Sequence, residues 1–159
     1  MTQSELLAAA AVNSWKLVTS RLNDMIASMS DSDLEQVVAP GRNRVSYLVG
    51  HLAAVHDRMF TLLGVGERMH PELDAEFLET PDTHGPSSVS AADLRKAWTE
   101  VDTKLTSTLE SLRPEQWLEK HTSVSDEEFA KDPLRNRLSV LMSRTNHASF
   151  HIGQMRLTR

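Results

Sequence analysis

Apolar residues recur every three or four positions in four long segments of this 159-residue chain. That spacing puts them on one face of an α-helix. No segment alternates convincingly between apolar and polar residues, as a half-buried strand would. Amphipathic helices of this kind bury their apolar stripes against one another in a bundle. The sequence therefore predicts an all-α fold, a four-helix bundle that forms one domain over residues 1–159.

Turn and cap signals place the ends of these helices. The expected ranges are 4–29, 44–63, 90–112 and 132 to the C-terminus, with residues 30–33 ending the first helix. Ser90, followed three residues later by Asp93, is a relative of the capping box and marks the start of the third helix. Asp132 and Pro133 indicate an N-cap followed by proline at the first helical position, which would start the fourth.

Two long irregular connections remain between these helices, residues 64–89 and 113–132. A short helix is expected at 72–78 in the first connection and a helical turn at 127–131 in the second. Loops longer than about 15 residues in a compact domain are usually functional or mobile. Both connections are therefore candidates for the walls of a binding site.

Composition excludes several classes of function. Lys and Arg total 17 against 22 Asp and Glu, giving a formal net charge of -5, which disfavours nucleic-acid binding. The absence of cysteine excludes disulfides and thiolate ligands, so any metal must be bound through nitrogen or oxygen. No apolar run approaches the roughly 20 residues of a membrane span, and the N-terminus lacks a signal-peptide pattern. We expect a cytoplasmic protein with no membrane partner.

The histidines carry most of the chemical information in the sequence. His147 and His151 are four residues apart on the predicted last helix, so both imidazoles face the same side and can bind one ion. The residues between them include no glutamate, which excludes the zinc-protease motif. A third ligand must come from another helix. His51 and His56 are about 140° apart on the second helix, so only one should point at the ion, and periodicity does not decide which.

Four histidines have no partner at ligand spacing on their own helix or loop. For these, a surface or loop position is the simpler interpretation: His56, His70, His84 and His121. The pair on the last helix has a simple alternative as well, because two partly exposed helical histidines would show the same spacing.

Two stretches of the chain resemble the DinB/YfiT-like superfamily. They are R-V-S-Y-L-V-G-H-L-A-A, from Arg44 to Ala54, and N-H-A-S-F-H-I-G-Q, from Asn146 to Gln154. Members of that superfamily are four-helix bundles in which three histidines bind a metal. The resemblance implies that the ligands here are His51, His147 and His151, and that His56 is a non-ligating neighbour.

The resemblance also implies a function. Similar proteins include thiol-dependent S-transferases, which use a low-molecular-weight thiol such as bacillithiol, mycothiol or glutathione, and a mycothiol-dependent isomerase. We therefore expect a divalent metal ion (Zn, Ni or Fe), a low-molecular-weight thiol as cofactor, a small-molecule substrate and a homodimer. The 64–89 connection should lie over the open end of the bundle near the histidines and, with 113–132, form the substrate pocket.

Two other functions fit the same residues. A metal-water hydrolase would use the same three ligands, although no Asp or Glu lies beside the histidine pair. A non-enzymatic alternative is a metal-stabilised bundle or stress-related binding protein that dimerises through a helix face. The alanine run at residues 8–11 is small enough for such close helix contact.

Overall fold

The computed structural model describes residues 1–158, and its regular structure is helical. The helices are α1 (Gln3–Ser28), α2 (Asp31–Leu34), α3 (Val45–Leu62), α4 (Asp74–Phe77), α5 (Ala91–Ser111), α6 (Asp126–Lys131) and α7 (Arg137–Met155). Short 3-10 turns occupy Pro71–Leu73, Pro114–Leu118 and Arg156–Thr158. Strand-like pairing within residues 1–158 is limited to two isolated bridges, Val37 with Arg44 and Lys120 with Asn136. The all-α prediction is confirmed. None of the helices in this range combines the length and the apolar character that a membrane span requires.

Side-chain caps set the helix starts. The Ser90 hydroxyl accepts a hydrogen bond from the Asp93 amide at 3.1 Å, as the sequence predicts. Ser30 was expected to follow the end of the first helix, but it caps a new short helix, α2, by accepting from the Asp33 amide. The predicted start of the fourth helix at Asp132 is wrong. The Asn136 side chain accepts a hydrogen bond from the Ser139 amide at 2.9 Å, and α7 begins at Arg137.

The four long helices form a closed ring in which each contacts two others. α1 and α3 both pack against α5 and α7. Two apolar clusters at opposite ends of the bundle show that α1 and α7 run one way and α3 and α5 the other. Because the adjacent helices α3 and α5 are parallel, the chain must travel back along α3, about 27 Å for 18 residues, before α5 can begin. This return explains the length of the 64–89 connection.

A buried carboxylate fixes the start of this connection. Asp57 is fully buried and accepts hydrogen bonds from the backbone amides of Met69 at 2.7 Å and His70 at 3.1 Å. Arg68 donates its Nε to the same carboxylate at 3.0 Å. The helical turns over residues 71–77 therefore lie against α3, which confirms the short helix predicted there.

A layer of tryptophans and one histidine crosses the middle of the core. The indole nitrogen of Trp15 donates to Thr106 at 3.0 Å, and that of Trp98 donates to Asn23 at 2.5 Å. The surface position expected for His56 is wrong. Its ring is fully buried between the two indoles, with centroids 4.7 Å from Trp15 and 5.2 Å from Trp98. Neither ring nitrogen of His56 has a hydrogen-bond partner in residues 1–158. The imidazole is therefore held neutral by its surroundings.

The buried imidazole should make stability depend on pH. Burial, reinforced by the positive charge of neighbouring groups, lowers the pKa of His56 from 6.5 to about 3. Between these values the unfolded chain binds a proton that the folded protein does not, so stability falls as the pH falls. In EDTA-treated protein, the variant His56→Leu should lack this loss of stability. The difference in free energy of unfolding between the variant and wild type should therefore grow by up to about 1.4 kcal/mol for each unit by which the pH falls.

Urea unfolding at several pH values between 7 and 4 measures this difference. The matched control is His84→Asn, which changes an exposed histidine outside the core. Parallel curves for wild type and His56→Leu would contradict the assignment of a neutral buried imidazole.

Candidate metal centre

The structure brings together the three histidines that the resemblance selects. The Nε2 atom of His147 lies 3.2 Å from that of His51 and 3.0 Å from that of His151. His151 is buried, whereas His51 and His147 are half-buried at the edge of the core between α3 and α7. Nitrogens bound to one tetrahedral ion at 2.0–2.1 Å would be about 3.3 Å apart. The separations therefore match those of ligands that share one ion.

A backbone carbonyl sets the orientation of His51. Its Nδ1 lies 3.0 Å from the carbonyl oxygen of Phe77, at the end of α4. Since a carbonyl only accepts, the ring proton must be on Nδ1 and the lone pair on Nε2. The Nε2 lone pair consequently points at the other two histidines, which is the arrangement that a metal ligand needs.

An amide oxygen sets the orientation of His151 in the same way. The Nδ1 atom of this ring lies 2.7 Å from Oε1 of Gln154, one turn further along α7. The proton is again on Nδ1, which leaves Nε2 unprotonated. Two lone pairs therefore face the third imidazole.

His147 differs from the other two imidazoles. Its Nδ1 is buried and has no hydrogen-bond partner within residues 1–158. Burial, with the adjacent His151 and His51, lowers the pKa of His147 to about 4, so the ring is neutral at pH 7. A neutral His147 can donate its Nε2 proton to only one of the two facing lone pairs. One cation would satisfy all three nitrogens, so this donor set fits a divalent metal ion.

The close approach of α4 to α3 depends on a glycine. A Cβ atom on Gly50 would lie 2.5 Å from the ring of Phe77. Only glycine lets this ring pack against α3, and the packing holds the Phe77 carbonyl at His51. Neither residue can be recognised from the sequence, because their contact joins positions 27 apart and neither has a metal-ligating side chain. Gly50 lies inside the first family-like stretch, but its role could not be inferred from there.

The other four histidines lie outside this cluster. His56 is in the core, as a neighbour of the site rather than one of the three converging rings. His70 bridges two carboxylates, and His84 hydrogen-bonds the carbonyl of Arg42 at 2.8 Å. His121 lies in the second connection. None of these four rings belongs to the group of converging imidazoles within residues 1–158.

The two long connections differ in their relation to the cluster. The first runs along the side of α3 instead of only covering the end of the bundle, and its Phe77 carbonyl contacts His51. It therefore lies on the histidine side, as expected. The second packs at the far end of α3, where the Thr122 amide donates to the carbonyl of Leu62 at 2.9 Å. Its predicted role in a substrate pocket shared with the 64–89 connection has no support from this position.

A pair of helical glycines tests the contact at Gly50. Alanine normally stabilises a helix interior by about 0.5–1 kcal/mol relative to glycine. Gly153→Ala on α7 should show this gain, since a Cβ there meets nothing within 4 Å. Gly50→Ala should instead destabilise the fold by about 1–3 kcal/mol, because Phe77 must move. Urea unfolding measures both variants, and an equal gain in the two would show that the contact is not a constraint.

The comparisons with known proteins agree with this architecture. A search of the curated proteins gave no match. A family model described as the DinB superfamily matches residues 14–155, a range that includes the second part of α1, all of α3, α5 and α7, and the three clustered histidines. The all-helical bundle also agrees with such an assignment. The chain therefore belongs to the DinB superfamily.

Proposed function

We propose that this protein is a metal-dependent enzyme that transfers a low-molecular-weight thiol to an electrophilic small molecule. One observation carries the proposal: three imidazole Nε2 atoms converge, and two of their rings have a fixed tautomer. His51, His147 and His151 would hold a divalent ion, with zinc, nickel and ferrous iron all suited to imidazole. Three protein ligands leave a coordination position open for a small molecule.

The chain's own groups have separable roles in this proposal. A divalent ion bound by neutral imidazoles would supply Lewis acidity, which lowers the pKa of a thiol or water. The Phe77 carbonyl and the Gln154 amide hold the protons of His51 and His151 away from the centre. The half-buried positions of His51 and His147 leave one side of the cluster accessible from solvent.

A cavity lined by Tyr47, one turn of α3 before His51, is the candidate pocket for the electrophile. It has a volume of about 350 Å³ and lies between the start of α3 and the 64–89 connection. Tyr47 lines this cavity and is nearly parallel to the His51 ring, with their centroids 6.4 Å apart. The Tyr47 hydroxyl donates to the carbonyl of Thr80 at 2.7 Å. This contact supports a role for the connection as a pocket wall.

Two alternatives use the same cluster. A metal-water hydrolase needs a general base, and the candidate ligand group within residues 1–158 is made of histidines only. A non-enzymatic, metal-stabilised bundle needs no substrate cavity.

The expected homodimer also stays a prediction. Ala9 and Ala10 are exposed on α1, and the face that they occupy is the proposed contact.

Removing single histidines tests the ligand set. His51→Ala, His147→Ala and His151→Ala should each reduce bound metal well below one ion per chain, because two imidazoles compete poorly with chelators. His56→Ala should retain the ion. Elemental analysis of protein purified without an affinity tag measures the stoichiometry and identifies the metal, and circular dichroism checks the fold. Loss of metal in His56→Ala with retention in His51→Ala would show that the third ligand is wrong.

A conjugation assay tests the reaction class. The metal-loaded protein should accelerate conjugation of bacillithiol, mycothiol or glutathione with an epoxide such as styrene oxide, measured by mass spectrometry of the conjugate. Protein stripped with EDTA should lose this activity, and metal reloading should restore it. His147→Ala is the matched inactive variant. Thiol-independent hydrolysis of the epoxide would favour the hydrolase, and bound metal without turnover of any of the thiols would favour the non-enzymatic alternative.

A further inference from the structure

Arg144 on α7 is a half-buried cation without a counter-ion. Its Nε is buried and has no hydrogen-bond partner, and no carboxylate in residues 1–158 forms an ion pair with its guanidinium. Burial lowers the pKa of Arg144, with no opposing contribution from an acidic group. A charged group withdrawn from water in this way is costly unless something compensates it.

The other arginines in residues 1–158 avoid this cost. Six form ion pairs with carboxylates: Arg44, Arg58, Arg68, Arg95, Arg135 and Arg137. The rest are exposed to water: Arg21, Arg42, Arg113 and Arg156. The chain is acidic overall, so carboxylates are plentiful. The lack of a partner at Arg144 is therefore a local feature and not a consequence of composition.

Arg144 lines a cavity of about 300 Å³ between the end of α3 and the first turns of α7. His121 also lines it, and its Nδ1 is buried without a hydrogen-bond partner. The residues that surround the cavity include no Asp or Glu, and they include the hydroxyl side chains of Ser139 and Ser143. The wall thus offers an imidazole, hydroxyl donors and the unpaired cation Arg144, whereas its other cation, Arg135, is already paired with Glu128 at 3.0 Å.

We propose that this cavity binds the oxyanion group of a small molecule, a carboxylate or a phosphate, through Arg144. The planar guanidinium presents several N–H donors that match such a group. His121 and the two serine hydroxyls would complete the hydrogen bonds on the other oxygens. The bound anion would supply both the missing counter-ion of Arg144 and the missing partners of two buried nitrogens.

The site is separate from the three-histidine cluster but close to it. Arg144 precedes His147 by three residues, about one turn of α7, and its charge contributes to the low pKa of His147. We infer that the anion is part of the enzyme's substrate, and this step rests on the proposed function. The anion site itself does not depend on a bound metal.

Calorimetric titration of the full-length protein with inorganic phosphate, and separately with malonate, tests the proposal. At least one anion should bind saturably to one site, and comparing the two distinguishes a phosphate from a carboxylate ligand. Arg144→Gln should weaken this binding at least tenfold, whereas Arg144→Lys should retain part of it. Arg42→Gln, which removes an exposed and unpaired arginine, should bind as wild type does.

The same titrations after EDTA treatment separate this site from the metal centre. Binding that survives EDTA and is lost in Arg144→Gln supports the anion site, whatever the metal stoichiometry proves to be. Binding that disappears with EDTA, persists in Arg144→Gln, or never saturates below about 10 mM for either anion would overturn the proposal. Circular dichroism and urea unfolding of Arg144→Gln should show a folded protein, and Arg144→Lys provides the test should that variant unfold.

Discussion

Two parallel helices that are adjacent in a bundle cannot be joined by a tight turn, and α3 and α5 are such a pair. The chain has to return along α3 before α5 can start, and this return places residues 71–77 against the helix that carries His51. Asp57 fixes the beginning of the path through two backbone amides and Arg68. The Phe77 carbonyl reaches His51 as a result of this route. The topology of the bundle thus provides the hydrogen bond that orients the first imidazole.

Neutrality of buried groups is the second condition for the candidate centre. Burial and the neighbouring rings of His51 and His151 keep His147 neutral at pH 7, so one of its ring nitrogens has a lone pair for a cation. Deeper in the core, His56 is neutral for the same reason, between two tryptophan rings. Burial lowers the pKa of both imidazoles, but only one of them can contribute to a metal site. The ring at the edge of the core can reach an ion, whereas the ring enclosed by tryptophans cannot be reached from solvent.

The helical periodicity was sufficient to predict the class of fold and the approximate ranges of the long helices. Family-like motifs, and not helix geometry, distinguished His51 from His56, since both lie near the apolar stripe of α3. The predicted start of α7 is wrong because Asp132 and Pro133 have the pattern of a helix start, whereas the side chain that caps the helix is that of Asn136. Gly50, Phe77 and Arg144 could not be assigned a role, because each depends on which helices become neighbours. Such information is absent from local spacing.

The contact between Gly50 and Phe77 also has a consequence for evolution within the superfamily. Because the ring occupies the volume that a side chain at position 50 would need, the two positions are sterically coupled. A relative that carries alanine or serine at position 50 should carry a smaller residue at position 77, or a displaced segment after α3. Covariation of positions 50 and 77 among members would therefore separate those whose first histidine is oriented by a backbone carbonyl from those that orient it by another group.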